Sequence, residues 1–436
     1  MKTNIEDISS VKKKVNIEIE AEEIDRRIED AYKKLSKKAQ IKGFRPGKVP
    51  RKILEKFYFA QVMEDVTNNV IRDTLPEAID EIKKYPLNMP SIENEELKAG
   101  QAFKYSASME IRPEFELKDY LGIEVEKENC AVTDEDVKRQ LDQIREARGT
   151  LNPVTEDRGI KDGDYILMDY EAFEGDAPIE GIKAANFPLK IGNKQFYKGV
   201  EEALIGVKKG GPVDIKIDFE TDYFNVRLAG KAVNFRIDVK EIKEISLPEI
   251  NDEFLKGLGG DFNTLEDLNK KIREDMIAGE EKRIDNELKA RLLRKVSTLT
   301  DFELPESLVE YEINASIDNI KQRLARSGAD LAKSGFDEAK IKVDIRPSAE
   351  KSVKQMFIIS EIADQNKFTV EEADLAEGLR GMARDFDTEY EIIRQYYESN
   401  GLMDSFRQTL LREKILNYLV ENARIILLDA NKITDR

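Results

Sequence analysis

The sequence predicts an α+β fold built from several domains, because the period of its apolar residues changes along the chain. Apolar residues recur at every second position in some segments, which is typical of strands, and at every third or fourth position in others, which is typical of helices. Strands and helices fall in separate runs, as in α+β proteins. The 436 residues are enough for roughly three domains of about 150 residues each.

Residues 1–112 are predicted to form a small α+β domain. Apolar residues alternate over residues 15–19, which indicates a strand, and a helical pattern follows directly. Pro50 is suited to the first turn of a second helix, which we expect to run to about Tyr85. Alternation over residues 103–111 predicts a further strand.

The middle of the chain is predicted to contain a connector and then a β-rich domain. The connector covers residues 113–150 and includes one helix near residues 134–147. Over residues 151–245 the apolar period is two, and turn signals such as Gly210-Gly211-Pro212 separate the strands. These observations predict a β-rich domain over residues 151–245.

Residues 246–436 are predicted to be mostly long helices. Pro305 can open one helix, and Thr369 with Glu372 matches a capping box before another. Seven-residue repeats are not sustained, which disfavours a long coiled coil. Narrow apolar stripes and dense charge favour extended helical arms. The apolar run Met356 to Ile359 is most simply a core contact between helices.

The composition excludes several classes of site. The chain has no histidine, which excludes Ser–His triads and histidine-ligated zinc. Cys130 is the single cysteine, so intrachain disulfides and cysteine-cluster metal sites are excluded, and we expect no metal and no cofactor. A lone cysteine, a charged start without a secretory signal and the lack of long apolar runs predict a cytoplasmic protein without a membrane partner.

Positive charge is concentrated in one segment, residues 31–56, which we call the basic window. It carries ten Lys/Arg and one acidic residue, a charge of +9, whereas the whole chain carries −17 and the remainder therefore −26. The simplest interpretation is a solvated helix face. Arg51 and Lys52 favour an anion site instead, because cations in a first helical turn oppose the macrodipole. A helix N-terminus beside a basic loop favours phosphates and unstacked bases.

The centre of the basic window is the segment Gly-Phe-Arg-Pro-Gly-Lys, residues 43–48. Its Pro-Gly pair suits a type II turn, which would hold Phe44 and Arg45 at a loop tip. The segment is one residue too short for a phosphate-binding P-loop, and Val49 replaces the Ser/Thr that would hold magnesium. A nucleotide site is therefore not predicted.

This segment, followed by Val-Pro and preceded by a charged strand and helix, resembles the ribosome-binding signature of bacterial trigger factors. The order of the three regions and Leu247-Pro248-Glu249 extend the resemblance along the chain. It implies a chaperone that docks on the large ribosomal subunit, on protein and rRNA near the exit tunnel. It also implies binding of nascent and unfolded polypeptides without ATP, and a weak homodimer off the ribosome. The docking residues implied are Gly43, Phe44, Arg45, Pro46, Gly47 and Lys48.

Residues 151–245 resemble the FKBP-type prolyl isomerase domain of this family. An apolar pocket that favours a twisted amide lowers a rotational barrier of about 18–20 kcal/mol, and it needs no nucleophile or acid/base pair. Val200 and Ile179-Glu180 differ from the large aromatic and the Phe-Asp pair common in such enzymes, so we expect weak activity. The catalytic pocket residues implied are Tyr170, Phe187, Phe196, Tyr197, Tyr223 and Phe235.

Two alternatives to this chaperone interpretation remain at the level of the sequence. One is an RNA-binding or ribosome-assembly protein whose helical region is a scaffold, and the other is a dedicated prolyl isomerase of folded proteins. The aromatic residues of the β-rich domain also fit a simple core, since such cores often contain Tyr and Phe. The large helical region favours the chaperone, because neither alternative requires it.

Overall fold

The computed structural model describes all residues except 42, 43, 45–47, 195, 198, 222, 224, 226, 260, 261, 263, 327–336 and 429–436. The described chain divides into two compact units. One contains residues 1–128 and 285–428, and the other contains residues 129–284. The first unit is therefore assembled from two distant parts of the chain.

Eleven strands and eleven helices lie within the described residues, which confirms the predicted α+β fold. The first elements are β1 (Lys2–Asp7), β2 (Lys12–Ile19), α1 (Ala21–Lys38), α2 (Arg51–Ile82), β3 (Ser91–Asn94), β4 (Phe103–Glu110), β5 (Glu124–Lys127) and α3 (Asp134–Ala147). Then come β6 (Thr150–Pro153), β7 (Tyr165–Glu174), β8 (Ala177–Lys190), α4 (Val200–Leu204), β9 (Pro212–Asp218) and β10 (Ala232–Ser246). The last are α5 (Asp252–Gly257), α6 (Leu265–Thr298), α7 (Glu306–Arg326), α8 (Glu338–Asn366), α9 (Glu372–Asp385), α10 (Tyr390–Ser399), α11 (Met403–Glu421) and β11 (Arg424–Leu427).

The N-terminal part of the first unit is an antiparallel sheet packed against two helices. The strand order is β1-β2-β4-β3, and α1 and α2 share one apolar core with β2 and β4. Alternate residues of each inner strand enter this core, and the buried residues of α2 recur at steps of four. These two packing modes produce the two periods in the sequence.

The helical part of the first unit buries most of the apolar residues that the sequence assigned to helix contacts. Phe357, Ile358 and Ile359 are buried, which confirms them as core residues, whereas Met356 is 46% exposed. A small parallel sheet joins β5 to β11, about 300 residues later in the chain. Among the described residues, no helix is both long and apolar enough to cross a membrane.

The predicted capping box at Thr369 and Glu372 is wrong by two residues. The N-cap of α9 is Glu371, and its backbone N–H donates to Asp374 at 2.9 Å. The Thr369 hydroxyl instead donates to the Glu371 carboxylate at 2.9 Å. An acidic N-cap is favourable because it faces the positive end of the helix dipole.

The second unit contains a five-stranded antiparallel sheet with β10 at its centre. The strand order is β6-β10-β7-β8. The fifth strand, β9, pairs with the first half of β10, and β6 pairs with the last residues of β10 along the same edge. Thr150 in β6 lies opposite Ser246 in β10. The two ends of the β-rich segment are therefore neighbours in one ladder. Helices α3, α5 and the start of α6 form a separate core in this unit.

Candidate functional sites

Seven aromatic rings of the second unit form one connected group, which we call the aromatic cluster. Tyr197 has ring centroids of neighbours at 4.8 Å (Phe196), 5.0 Å (Phe235) and 6.4 Å (Tyr170). Most of the neighbouring rings meet edge to face or tilted, the arrangement that aromatic quadrupoles favour. The members are Tyr170, Phe187, Phe196, Tyr197, Phe219, Tyr223 and Phe235.

A cleft of about 730 Å³ opens beside this cluster. Phe196, Tyr197 and Tyr223 line it, together with Ile191 and Ile205. Phe235 is fully buried beneath these rings. The cleft therefore offers an apolar, aromatic wall of a size suited to a small ring and its flanking peptide groups.

The loop that carries Phe196 is held by one buried carboxylate. Glu201 is 6% exposed and accepts backbone N–H groups of Gly192, Lys194 and Phe196 at 3.0, 3.0 and 2.9 Å. Gly199 precedes α4 with φ +83°, and a Cβ there would lie 3.1 Å from Ile217. Both features fix the position of the aromatic rings between β8 and α4.

Two hydroxyls within the cluster are coupled. Burial raises the pKa of Tyr197 to about 12, and the neighbouring Tyr170 adds to this effect. The Tyr170 and Tyr197 hydroxyls share a hydrogen bond, which partly offsets the effect of burial on the pKa of Tyr170. Tyr197 therefore stays neutral at any pH near 7.

The six predicted pocket residues all belong to the aromatic cluster, but they occupy different positions relative to the cleft. Three line the cleft, Tyr170 and Phe187 contact Phe196 from the side, and Phe235 belongs to the core. Phe219 was not among the predicted site residues, although its ring links Tyr223 to Phe235 at 4.6 and 6.3 Å. Phe219 directly follows β9 and continues its apolar alternation, which is the signal in the sequence that could have identified it.

The described part of the basic window presents exposed cations and one exposed ring. Phe44 is 39% exposed, and Lys48 is exposed. The other predicted docking residues, Gly43, Arg45, Pro46 and Gly47, lie outside the described residues, and so does the predicted turn.

Arg51 has a structural role that the sequence interpretation missed. Its guanidinium pairs with Glu29 at 2.5 Å and with Glu55 at 2.8 Å, and lies 3.7 Å from the centre of the Tyr32 ring. These contacts join α1 to α2, so the unfavourable dipole position of Arg51 is offset locally. The use of Arg51 as evidence for an anion site was therefore wrong.

Comparison with known proteins agrees with this architecture. Three family models match the chain: bacterial trigger factor protein over residues 1–144, FKBP-type peptidyl-prolyl cis-trans isomerase over residues 156–240, and the bacterial trigger factor C-terminus over residues 264–421. The trigger factor of Geotalea uraniireducens (strain Rf4) is 35% identical over 434 residues, covering 99% of this chain and 100% of its own length. That of Geotalea daltonii is 36% identical, covering 98% of each.

A solved structure of a trigger factor chaperone, from work on its promiscuous substrate recognition in folding and assembly, has the same fold. It aligns with a TM-score of 0.52 at 21% identity, over 97% of this chain and 99% of that one.

A β-rich domain of the FKBP type, flanked in sequence by an α+β region and long helices, defines the class: a folding factor that carries a prolyl isomerase domain. Within that class, the chain belongs to the bacterial trigger factor family. It is a ribosome-associated chaperone with a peptidyl-prolyl cis-trans isomerase domain. It acts on nascent polypeptides together with the ribosome.

Proposed function

We propose that the cleft beside the aromatic cluster is the prolyl isomerase site. The observation that carries this proposal is the convergence of Phe196, Tyr197 and Tyr223 on one apolar cleft within the region that matches the isomerase family. The rings accept the prolyl side chain and exclude water from its amide. A planar amide is more strongly dipolar than a twisted one, so an apolar wall destabilises the ground state relative to the transition state.

Substitution of Tyr223 tests this site. Tyr223→Ala removes a ring from the cleft wall and should lower kcat/KM on a prolyl peptide about tenfold, because a lost ring contact costs at least ~1.4 kcal/mol of transition-state binding. Tyr223→Phe keeps the ring and removes the hydroxyl, so it distinguishes the contribution of the hydroxyl from that of the ring. Phe173→Ala, which removes a ring of β7 outside the cluster, is the matched control.

Two other substitutions in this region, Phe235→Ala and Val200→Trp, are unsuitable as tests. Both positions are fully buried, so the first would create a cavity and the second would overpack the core. Unchanged activity in Tyr223→Ala, with full activity in Phe173→Ala, would remove the cleft as the site.

We propose further that residues 43–48 dock on the large ribosomal subunit near the exit tunnel, on protein and rRNA. The exposed Phe44 ring and the surrounding cations support this, because they combine a stacking surface with phosphate attraction. We assign residues 1–112 to ribosome binding, 113–150 to a connector, 151–245 to isomerisation and 246–436 to the chaperone. A cytoplasmic location and a weak homodimer off the ribosome belong to the same proposal.

Cosedimentation with vacant ribosomes tests the docking loop. Replacing Phe44, Arg45 and Lys48 together by Ala should abolish binding while circular dichroism is unchanged. The matched control replaces the same three residue types elsewhere: Phe386, Arg384 and Lys351, all exposed. Binding should also weaken with salt, with a log–log slope of roughly −0.7 for each phosphate contact of a single-stranded region. Equal binding by both triple variants would contradict the proposal.

A further inference from the structure

The two-stranded parallel sheet of the first unit has two outer edges, and they differ in whether side chains bond their outward backbone groups. In this sheet the Arg424 N–H donates to the Ile123 carbonyl at 3.0 Å, and the Leu428 N–H donates to the Lys127 carbonyl at 2.9 Å. Backbone groups alternate in direction along a strand, so those of Ile425 and Leu427 point away from β5. We call this side the β11 outer edge.

The opposite edge, on β5, is closed by side chains of α6. Lys295 donates to the Glu124 carbonyl at 2.8 Å, and Arg291 donates to the Glu126 carbonyl at 3.3 Å. These are the two carbonyls of β5 that face away from β11. Cationic side chains therefore satisfy this edge and leave no place for another strand.

The β11 outer edge has none of these protections among the described residues. Within the part of the chain that the structure describes, no hydrogen bond reaches the outward backbone groups of Ile425 or Leu427. The strand sequence Arg-Ile-Ile-Leu contains no proline and no lysine, and its register with β5 has no bulge. An unprotected strand edge is a template for pairing with another extended chain.

The side chains along this edge are apolar and accessible. Ile425 lies in register with Val125, which is buried against Leu288 and Leu292, so the side chains of Ile425 and Leu427 lie on the same side of the sheet as Val125. Ile425 is nevertheless 38% exposed and Leu427 68% exposed. An added strand with apolar residues at alternate positions would extend this face and cover both.

We propose that the β11 outer edge binds an extended, apolar segment of an unfolded polypeptide by strand addition. Two N–H and two C=O groups, spaced as i and i+2 of a strand, are matched only by another extended backbone. A second copy of this chain is a poorer occupant, because two four-residue strands bury far less than the ~800 Å² per partner of a stable dimer. The inference rests on the family's chaperone function and specifies one place where it acts.

The test follows individual amides of the full chain, labelled with ¹⁵N in isoleucine and leucine. The probe is a ten-residue peptide with Val and Leu at alternate positions, Ser and Lys between them and no proline. Saturating peptide should slow amide hydrogen exchange at Ile425 and Leu427 at least tenfold. Ile426 is the internal control, because its N–H already points to β5. Neither ribosomes nor prolyl bonds take part, so failure here is distinguishable from failure of the docking or isomerase proposals.

Ile425→Pro removes an outward N–H while the ladder to β5 keeps its donors, since proline is tolerated at sheet edges. It should weaken peptide binding, followed at Leu427, about tenfold, the equivalent of about one net hydrogen bond. Ile425→Val, which keeps the N–H and the β-branched shape, should bind like the wild type. Wild-type affinity in Ile425→Pro would overturn the proposal.

A pair of N-methylated peptides keeps the test decisive if the proline variant does not fold. One peptide is N-methylated on its odd residues and the other on its even residues. Only one of these two sets of N–H groups faces β11 in a bound strand, so only one peptide loses the donors that β11 needs. One peptide should protect Ile425 and Leu427, and the other should not. Equal behaviour of the two peptides would overturn strand addition. Protection that rises with protein concentration without peptide would assign the edge to a second copy and also overturn the proposal.

Discussion

Asp164 and Arg158 form an enclosed ion pair in the β-rich domain. Two hydrogen bonds of 2.6 and 3.0 Å join the guanidinium to the carboxylate, and the Lys161 N–H donates to it at 2.8 Å. Asp164 is only 5% exposed. Burial acts to raise the pKa of Asp164, but the hydrogen bonds outweigh it and hold the pKa below its usual value.

This pair makes the domain sensitive to acid. A carboxyl group whose folded pKa is depressed contributes stability above its unfolded pKa, near 3.9, and that contribution is lost as pH falls through the folded value. Asp164→Asn should cost about 3 kcal/mol at pH 7, because it leaves Arg158 without its buried partner. Urea unfolding of both proteins from pH 7 to pH 3 measures this. The difference between them should shrink below about pH 4, and a constant difference would contradict the assignment.

Single residues also show where inference from the sequence ends. The alternation of apolar residues predicted Tyr170 and Phe235 on strands, and family resemblance predicted their common pocket. Phe219 joins the aromatic cluster because the chain after β9 stays paired beside β10, where the Phe219 N–H donates to the Lys231 carbonyl at 3.0 Å, and local periodicity does not predict such pairing. Arg51 was misinterpreted for a similar reason, because Glu29 lies on another helix.

Among the elements, α3 has a local N-terminal signal that is complete in the sequence. The Thr133 hydroxyl accepts the Asp136 N–H at 3.2 Å, and the Asp136 carboxylate accepts the Thr133 N–H at 3.0 Å. Such reciprocal bonds satisfy donors that a helix start leaves unpaired. The helix runs over Asp134–Ala147, where the sequence predicts it.

Thr133→Ala should therefore destabilise the second unit by about 1 kcal/mol, the usual cost of losing an N-cap side chain. Thr133→Ser keeps the hydroxyl and should be nearly neutral. Thermal unfolding, followed at Tyr fluorescence or by calorimetry, compares the two. If both variants lose the same stability, the methyl group of Thr133 matters and the cap does not.

Three of the strands have no local signal of this kind. Strand β8 contains Gly181 and Pro188 and lacks strict alternation, and pairing with β7 holds it through two register shifts. β5 and β11 are four residues each, and their partner choice joins positions 300 residues apart. Long helices and alternating strands were predictable because their periods are local, whereas short strands depend on tertiary pairing.

For the whole molecule, the β-rich segment should be removable without loss of the rest. Thr150 and Ser246 are ladder partners, and Arg145 donates to the Pro248 carbonyl at 3.1 Å just outside that point. A short Gly/Ser linker in place of residues 151–245 can therefore join the ends. We expect this deletion to suppress aggregation of a denatured, proline-free protein as the full chain does, while its isomerase activity is lost.

Full-length Tyr223→Ala is the comparator for this experiment, because its catalysis should be lowered about tenfold while the β-rich domain is kept. Light scattering of the denatured protein, with each variant at equal concentration, distinguishes the effect of lower catalysis from the effect of losing the domain. If the deletion variant folds but no longer suppresses aggregation, while Tyr223→Ala still does, client binding lies in the β-rich domain. That result would contradict our assignment of client binding to the helical region.

The first unit is discontinuous, and this has a consequence for its own synthesis. Leu117 packs in one core with Leu293, Ile362 and Leu419. Leu419 is translated about 300 residues after Leu117, which at about 5–20 residues per second takes roughly 15–60 s. Throughout that interval Leu117 has no contact with Leu419, so this core is incomplete on the growing chain. Each new copy is therefore a nascent polypeptide of the kind that its own family binds, until its last helix has left the ribosome.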